Sequence, residues 1–273
     1  MSTALPRSRP LTETLSNRVL RWSANAWFAA ALVGQWLFAI YIFGVYAWSL
    51  ASGDPAAMNR AEPITGHVSG DTLGNGVLYS HVLAALVLSV GGILQLVPAI
   101  RQRWPGWHRW NGRLFLLLAV LGALGGLWLT WIRGSRLSLW PAIAITLNAL
   151  LIFAAAAIAW RHARARRWPE HRRWAIRAFL LVNAVWTMRL GFMAWVILNQ
   201  GPRGQSAQLD GWFDISWSFG CYLLPLAVAE LYFRAGHAPP RWRAAVAVVL
   251  ALGAVLTALG VWGAWSFMWS RHL

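Results

Sequence analysis

Long, continuously apolar runs separated by short arginine-bearing segments set the pattern of this chain. Seven of them, Ala24 to Leu50, Val77 to Ile100, Arg113 to Ile132, Leu139 to Trp160, Trp174 to Leu198, Trp217 to Phe233 and Ala244 to Met268, are long enough to cross about 30 Å of hydrocarbon, which takes roughly 20 helical residues. None alternates apolar and polar at period two, as a membrane β-strand would. The pattern therefore predicts an all-α fold, a polytopic membrane helix bundle of seven transmembrane helices. Gly122-x-x-x-Gly126 and Gly260-x-x-x-Ala264 supply small faces for close helix approach.

Composition agrees. With 58% hydrophobic and 12% charged residues, the chain lacks the charged surface of a soluble domain. The +16 net charge comes from arginine with no lysine, and it is unevenly placed. Arg7, Arg9, Arg18 and Arg21 precede the first run, Arg101, Arg103 and Arg109 follow the second, Arg161 to Arg173 follow the fourth, and Arg234, Arg241 and Arg243 follow the sixth. The other loops mix Asp54, Glu62, Asp71, Asp210 and Asp214 with fewer arginines. The positive-inside rule then places the N-terminus in the cytoplasm and, after seven crossings, the C-terminus outside. Attraction to anionic inner-leaflet lipid accounts for the charge without nucleic acid as a partner. Residues 1–21 read as a basic cytoplasmic tail and 22–270 as the transmembrane domain, with a repeat core at about 77–198. The first run is too long for a cleavable signal, so a retained anchor is expected.

Within that core, Arg103 to Leu117 recurs without a gap as Arg167 to Leu181, sixty-four residues on, with nine of fifteen positions identical. Two crossings separate the copies, so spans two and three form a parallel repeat of spans four and five, related by a pseudo-two-fold axis along the membrane normal. Each copy begins Arg-Trp-Pro, and a new helix is expected near Trp110 and Trp174. The positive helix ends together with Arg109, Arg113, Arg173 and Arg177 would favour an anion: a lipid headgroup, a phosphate-bearing metabolite or haem propionates.

Each copy holds one histidine, His108 and His171. Their equal depth at the inner face is what two imidazole ligands of one haem b iron need; the alternative is that each simply binds a backbone carbonyl or headgroup. Cys221 stands alone, so any haem would be non-covalent. His81 and Gln95 lie on one side of span two, about 21 Å apart at 1.5 Å per residue. With Arg189 in span five they are candidates for a buried polar site, or for interhelical packing. The expected partners of Arg189 are Trp186 by cation-π contact, Asp214 or a bound anion; Glu230 is expected to pair with Arg177.

His81 to Gly92-Ile93-Leu94-Gln95-Leu96, Arg101, His108-Arg109-x-x-Gly112-Arg113, His171-Arg172-x-Trp174-x-x-Arg177 and Arg189 together resemble the bacterial predicted membrane protein family called domain of unknown function 2306, over roughly Val77 to Leu198. That family carries no assigned reaction. Its histidine-bearing helices are distantly similar to the membrane domains of cytochrome b561 and ferric reductases, but two depth-matched histidine pairs are missing here.

Two function classes follow. One is a b-haem-binding or quinone-reactive redox protein using His108, His171 and the four repeat arginines, with a quinone or redox partner. The other is a non-redox transporter or lipid-binding accessory protein using Arg189, His81 and Gln95. The chain holds no Gly-rich nucleotide loop and no serine-elbow motif that would mark soluble-enzyme chemistry.

Overall fold

The computed structural model describes residues 11–60 and 66–273, so Arg7, Arg9 and Glu62 lie outside the described residues. Its helices are α1 (Leu11–Ile42), α2 (Trp48–Ala51), α3 (Thr72–Leu94), α4 (Pro98–Arg103), α5 (Pro105–Trp131), α6 (Leu139–Arg164), α7 (Trp168–Val182), α8 (Ala184–Leu198), α9 (Trp212–Ala235) and α10 (Pro240–Ala264). Among the described residues there is no strand. Among the described residues six helices are long and apolar enough to cross a membrane, and the α7–α8 pair, bent by 57°, makes a seventh if it is one span. Within the described residues Arg18 and Arg21 lie in α1.

Departures of three kinds from the expected helix boundaries have local reasons. α5 starts at Pro105 and α7 at Trp168, about a turn and a half before Trp110 and Trp174. Proline's fixed φ and missing N–H suit the first turn, so Trp-Pro opens these helices and does not merely stop the preceding ones. α3 ends at Leu94, because Pro98 cannot donate a helical hydrogen bond; its counterpart in the second copy is His162, and α6 runs on to Arg164. There the chain reverses through Arg166 at φ 55°, with Arg167 N–H bonded to His162 O at 3.0 Å and Arg166 N–H to Ala163 O at 3.1 Å, a Schellman stop. The third is the bend at Asn183. Its Nδ2 donates to Phe179 O at 2.7 Å and Thr187 Oγ1 donates to Asn183 O at 3.0 Å. Such side-chain bonds to the carbonyl one turn back compete with the helix and bend it.

Small residues decide which helices meet. A Cβ at Gly260 of α10 would lie 2.5 Å from Leu190 O of α8. One at Gly34 of α1 would lie 2.7 Å from Cζ2 of Trp186. α9 is tied to its neighbours by Tyr222 Oη donating to Ala144 O (3.2 Å) and Trp217 Nε1 donating to Met188 O (3.0 Å). On the face opposite the arginine clusters, Arg133 bonds Asp71 and Asn75 at 2.9 Å each and joins the ends of α3 and α5. Large apolar side chains such as Trp22, Ile132 and Leu252 stay exposed, as a bundle surrounded by lipid tails requires.

Candidate functional site at the arginine-rich face

The break after α3 creates the first half of the site. Gln95 caps α3, and its amide is satisfied in one orientation. Its oxygen then accepts from Asn111 Nδ2 and from Gly112 N–H (3.2 Å), and its nitrogen donates to His108 Nδ1 (2.7 Å) and to His108 O (3.3 Å). Asn111 reaches back to Gly91 O at 2.9 Å. A Cβ at Gly91 would sit 2.7 Å from the Asn111 side chain, so glycine is what admits it. His108, half-buried in the first turn of α5, is within electrostatic range of Arg101 and of His171.

The second half is built differently. His171, half-buried in the first turn of α7, has Nδ1 at 2.9 Å from Ala159 O. Ala159 is the counterpart of Gln95 at the sixty-four-residue offset. A carbonyl only accepts, so Nδ1 of His171 donates, and in the neutral ring Nε2 is then the bare nitrogen. At His108 the Gln95 amide nitrogen is the donor, so Nδ1 is bare and Nε2 carries the proton. The two histidines are thus held as opposite tautomers. Ligation of one haem iron by both Nε2 atoms needs both bare; His171 fits that requirement, and His108 does not in this arrangement.

The repeat-equivalent rings of Phe115 and Phe179 stack at 6.4 Å between centroids. Arg113 lies over Trp110 at 4.9 Å, as Arg177 lies over Trp174 at 4.5 Å. The four arginines are not equivalent in surroundings. Arg109 and Arg113 are exposed, Arg173 leans on Phe233 at 5.9 Å, and Arg177 forms the expected ion pair with Glu230 at 2.7 Å.

Gln95 belongs with His108 and apart from the other two members of the expected polar site. His81 Nδ1 meets Gly122 O at 2.9 Å across α3 and α5, in space left by Gly125 and Gly126. Arg189 lies over Phe38 at 5.6 Å; the expected aromatic partner, Trp186, is turned against Gly34 instead. Asp214 accepts from Ser206 N–H (2.8 Å) and Gly211 N–H (3.2 Å), where it closes the loop before α9.

Sequence reading missed the amides of the apolar runs. Gln35 is 1% exposed and donates from Nε2 to Asn183 Oδ1 at 2.6 Å, while Asn148 donates to Leu181 O at 3.1 Å, beside the bend. The available signal was a single uncharged amide near the middle of each of three runs. Two clefts lie elsewhere: one of about 560 Å³ among Arg234, Pro239, Arg241 and Trp242, and an apolar one of about 270 Å³ along Trp131, Ile143 and Leu150. Neither takes in His108 or His171, and the first is open surface, so the histidine corner is the better candidate on chemistry. Among the described residues no three His, Cys, Asp or Glu side chains gather in a metal-type group.

The chain matches the family described as predicted membrane protein (DUF2306) over residues 78–233. No curated protein and no solved structure matches it. The matched segment runs from α3 into α9 and takes in Gln95, His108, His171, Arg177 and Glu230; it exceeds half the chain, which therefore belongs to the predicted membrane protein family DUF2306.

Proposed function

We propose that this protein is a quinone-reactive membrane protein whose headgroup site is the histidine corner at the arginine-rich face. The observation that carries the reading is that His108 Nδ1 meets the Gln95 amide nitrogen while His171 Nδ1 meets Ala159 O, which makes the two neutral rings opposite tautomers. A quinone carbonyl oxygen accepts from His108 Nε2–H; the same oxygen, once a quinol hydroxyl, donates to bare His171 Nε2. Quinone to quinol takes up two electrons and two protons. In the oxidising direction the two electrons pass to a redox partner, bare His171 Nε2 accepts the proton of the hydroxyl it faces, and the second hydroxyl releases its proton to water. Reduction runs the same steps in reverse, with His171 first taking its proton from water. Arg101, near His108, stabilises negative charge on the reduced ring. The two motif copies are the halves of a parallel repeat about an axis along the membrane normal, which explains why the Phe115–Phe179 stack joins equivalent positions. By the arginine distribution this face is cytoplasmic, in a bacterial inner membrane, with the N-terminus inside, the C-terminus outside and anionic lipid around the exposed arginines.

Haem b is the second reading, favoured by His171 alone, whose Nδ1 bond to Ala159 O resembles the outer support of a ligating imidazole. In it His108 and His171 would hold the iron, Arg109, Arg113, Arg173 and Arg177 the propionates, and the Gln95 amide would turn to accept from His108. Haem would supply one-electron transfer.

Titration of a short-tailed quinone onto the detergent-purified protein, followed by tryptophan quenching, tests the first reading. His108→Ala and His171→Ala are each expected to weaken binding about tenfold, ~1.4 kcal/mol. Binding that ignores both substitutions, or no binding to folded protein, overturns it. A dithionite-reduced minus oxidised spectrum with a b-type Soret band, lost in both variants, would put the haem reading in its place.

A further inference from the structure

The middle of the bundle holds polar atoms whose needs no side chain meets. Gln35 is 1% exposed and its Oε1 has no hydrogen-bond partner; Trp186 is 6% exposed and its Nε1–H has none. Both stand where α1 faces the α7–α8 bend. Gln35 is bonded there to Asn183 at the bend (2.6 Å), and Trp186, three residues beyond Asn183, has its indole against Gly34. Asn148 Oδ1, on the α6 side of the same bend, is likewise buried without a partner.

Their depth makes this unusual. Gln35 lies near the middle of the Leu15–Ala51 span and Asn183 near the middle of the bent pair Trp168–Leu198. Unmet polar groups at such depth have no bulk water to turn to, and helix breaks there are tolerated where protein or a polar cavity surrounds them. Buried polar atoms in native proteins are nearly always satisfied, by an ordered water if by nothing else. The glycine at position 34 leaves room for the Trp186 ring; a larger residue there would force the indole, and its donor, elsewhere.

We infer that the α7–α8 bend is a hydroxyl-binding site in the membrane interior: one O–H group accepts from Trp186 Nε1–H and donates to Gln35 Oε1. The O–H belongs to a bound water or to the hydroxyl of a small neutral ligand. A broken helix with polar side chains at mid-depth is how membrane proteins build internal sites for polar solutes, and here the break lies beside adjacent residues of α1, Gly34 against the Trp186 ring and Gln35 bonded to Asn183. The site is on the α1 side of the bend, separate from the histidine corner, and does not depend on the quinone reading.

Indole ¹⁵N-tryptophan labelling in nanodiscs gives the test, with the Trp186 signal assigned by its loss in Trp186→Phe or, if that variant does not fold, by its displacement in Gln35→Met. The Trp186 indole proton is expected to show a cross-peak to water, lost in Gln35→Met. If the O–H comes from a ligand, the cross-peak runs to the non-exchangeable protons of a co-purified molecule and is lost in the same variant. A dry Trp186 indole in the folded protein overturns the inference. So does a contact that survives Gln35→Met unchanged.

Discussion

At the scale of single residues, Arg177 is placed in an ion pair and Arg189 over a ring, while buried Asp214 is held by backbone N–H groups. Glu230 was legible as the partner of Arg177 because two opposite charges near the same face of neighbouring spans have few cheaper options. The pair forms at 2.7 Å with side-chain exposures of 20% and 38%, so part of its Coulomb energy is lost to solvent and headgroups. Arg177→Leu is expected to lower stability by about 1–2 kcal/mol, and the exchange Arg177→Glu with Glu230→Arg to restore part of it; equal thermal midpoints for all three proteins in one detergent would show the pair to be idle. Arg189 was less legible. Its span was clear, but its aromatic neighbour is Phe38 of α1, a residue about 150 positions away that no local spacing points to. The tautomers of His108 and His171 were equally hidden, since they depend on Gln95 and Ala159 O across a helix turn-around.

At the scale of elements, the two repeat copies diverge where one residue differs. Pro98 against His162 ends α3 early and lets α6 continue; Asn183 against Ala119 bends the α7–α8 pair and leaves α5 straight. Both differences were visible in the sequence. Proline's effect is predictable from its missing N–H, whereas asparagine bends a helix only when its side chain competes with the backbone, and that choice is made by Gln35 bonding Asn183. Contacts between elements are narrower still. Because a Cβ at Gly260 would meet backbone oxygen of Leu190 at 2.5 Å, no rotamer change relieves it. Gly260→Ala is expected to part α8 from α10 and cost about 2–3 kcal/mol; a denaturation midpoint in mixed micelles within error of the wild type would show that the helices yield without cost. The Gly260-x-x-x-Ala264 spacing marked this face in advance, but not its partner.

At the scale of the whole molecule, the number of crossings fixes where the termini lie. If the bent pair α7–α8 is one span, the crossings total seven and the two ends of the chain face opposite sides; if it turns back, they face the same side. A phosphatase active only outside the cytoplasm, fused after Leu273, is expected to be active, and a fluorescent protein that folds only in the cytoplasm is expected to be bright at the N-terminus and dark at the C-terminus. The reverse at the C-terminus would mean that the pair does not cross. The sequence by itself determined the all-helical membrane class, the stretches long and apolar enough to span, the segments richest in arginine and the duplicated motif, because apolar length and charge are properties of each segment alone. Only the tertiary structure decided which faces meet, what Nδ1 of each histidine bonds and which amides lie buried at the bend. The physical reason is that lipid and protein interior are both apolar, so a span that is apolar all round carries little record of its inward side. Partners are then chosen by glycine clearances and by hydrogen bonds between residues far apart in the chain, such as Gln35 with Asn183.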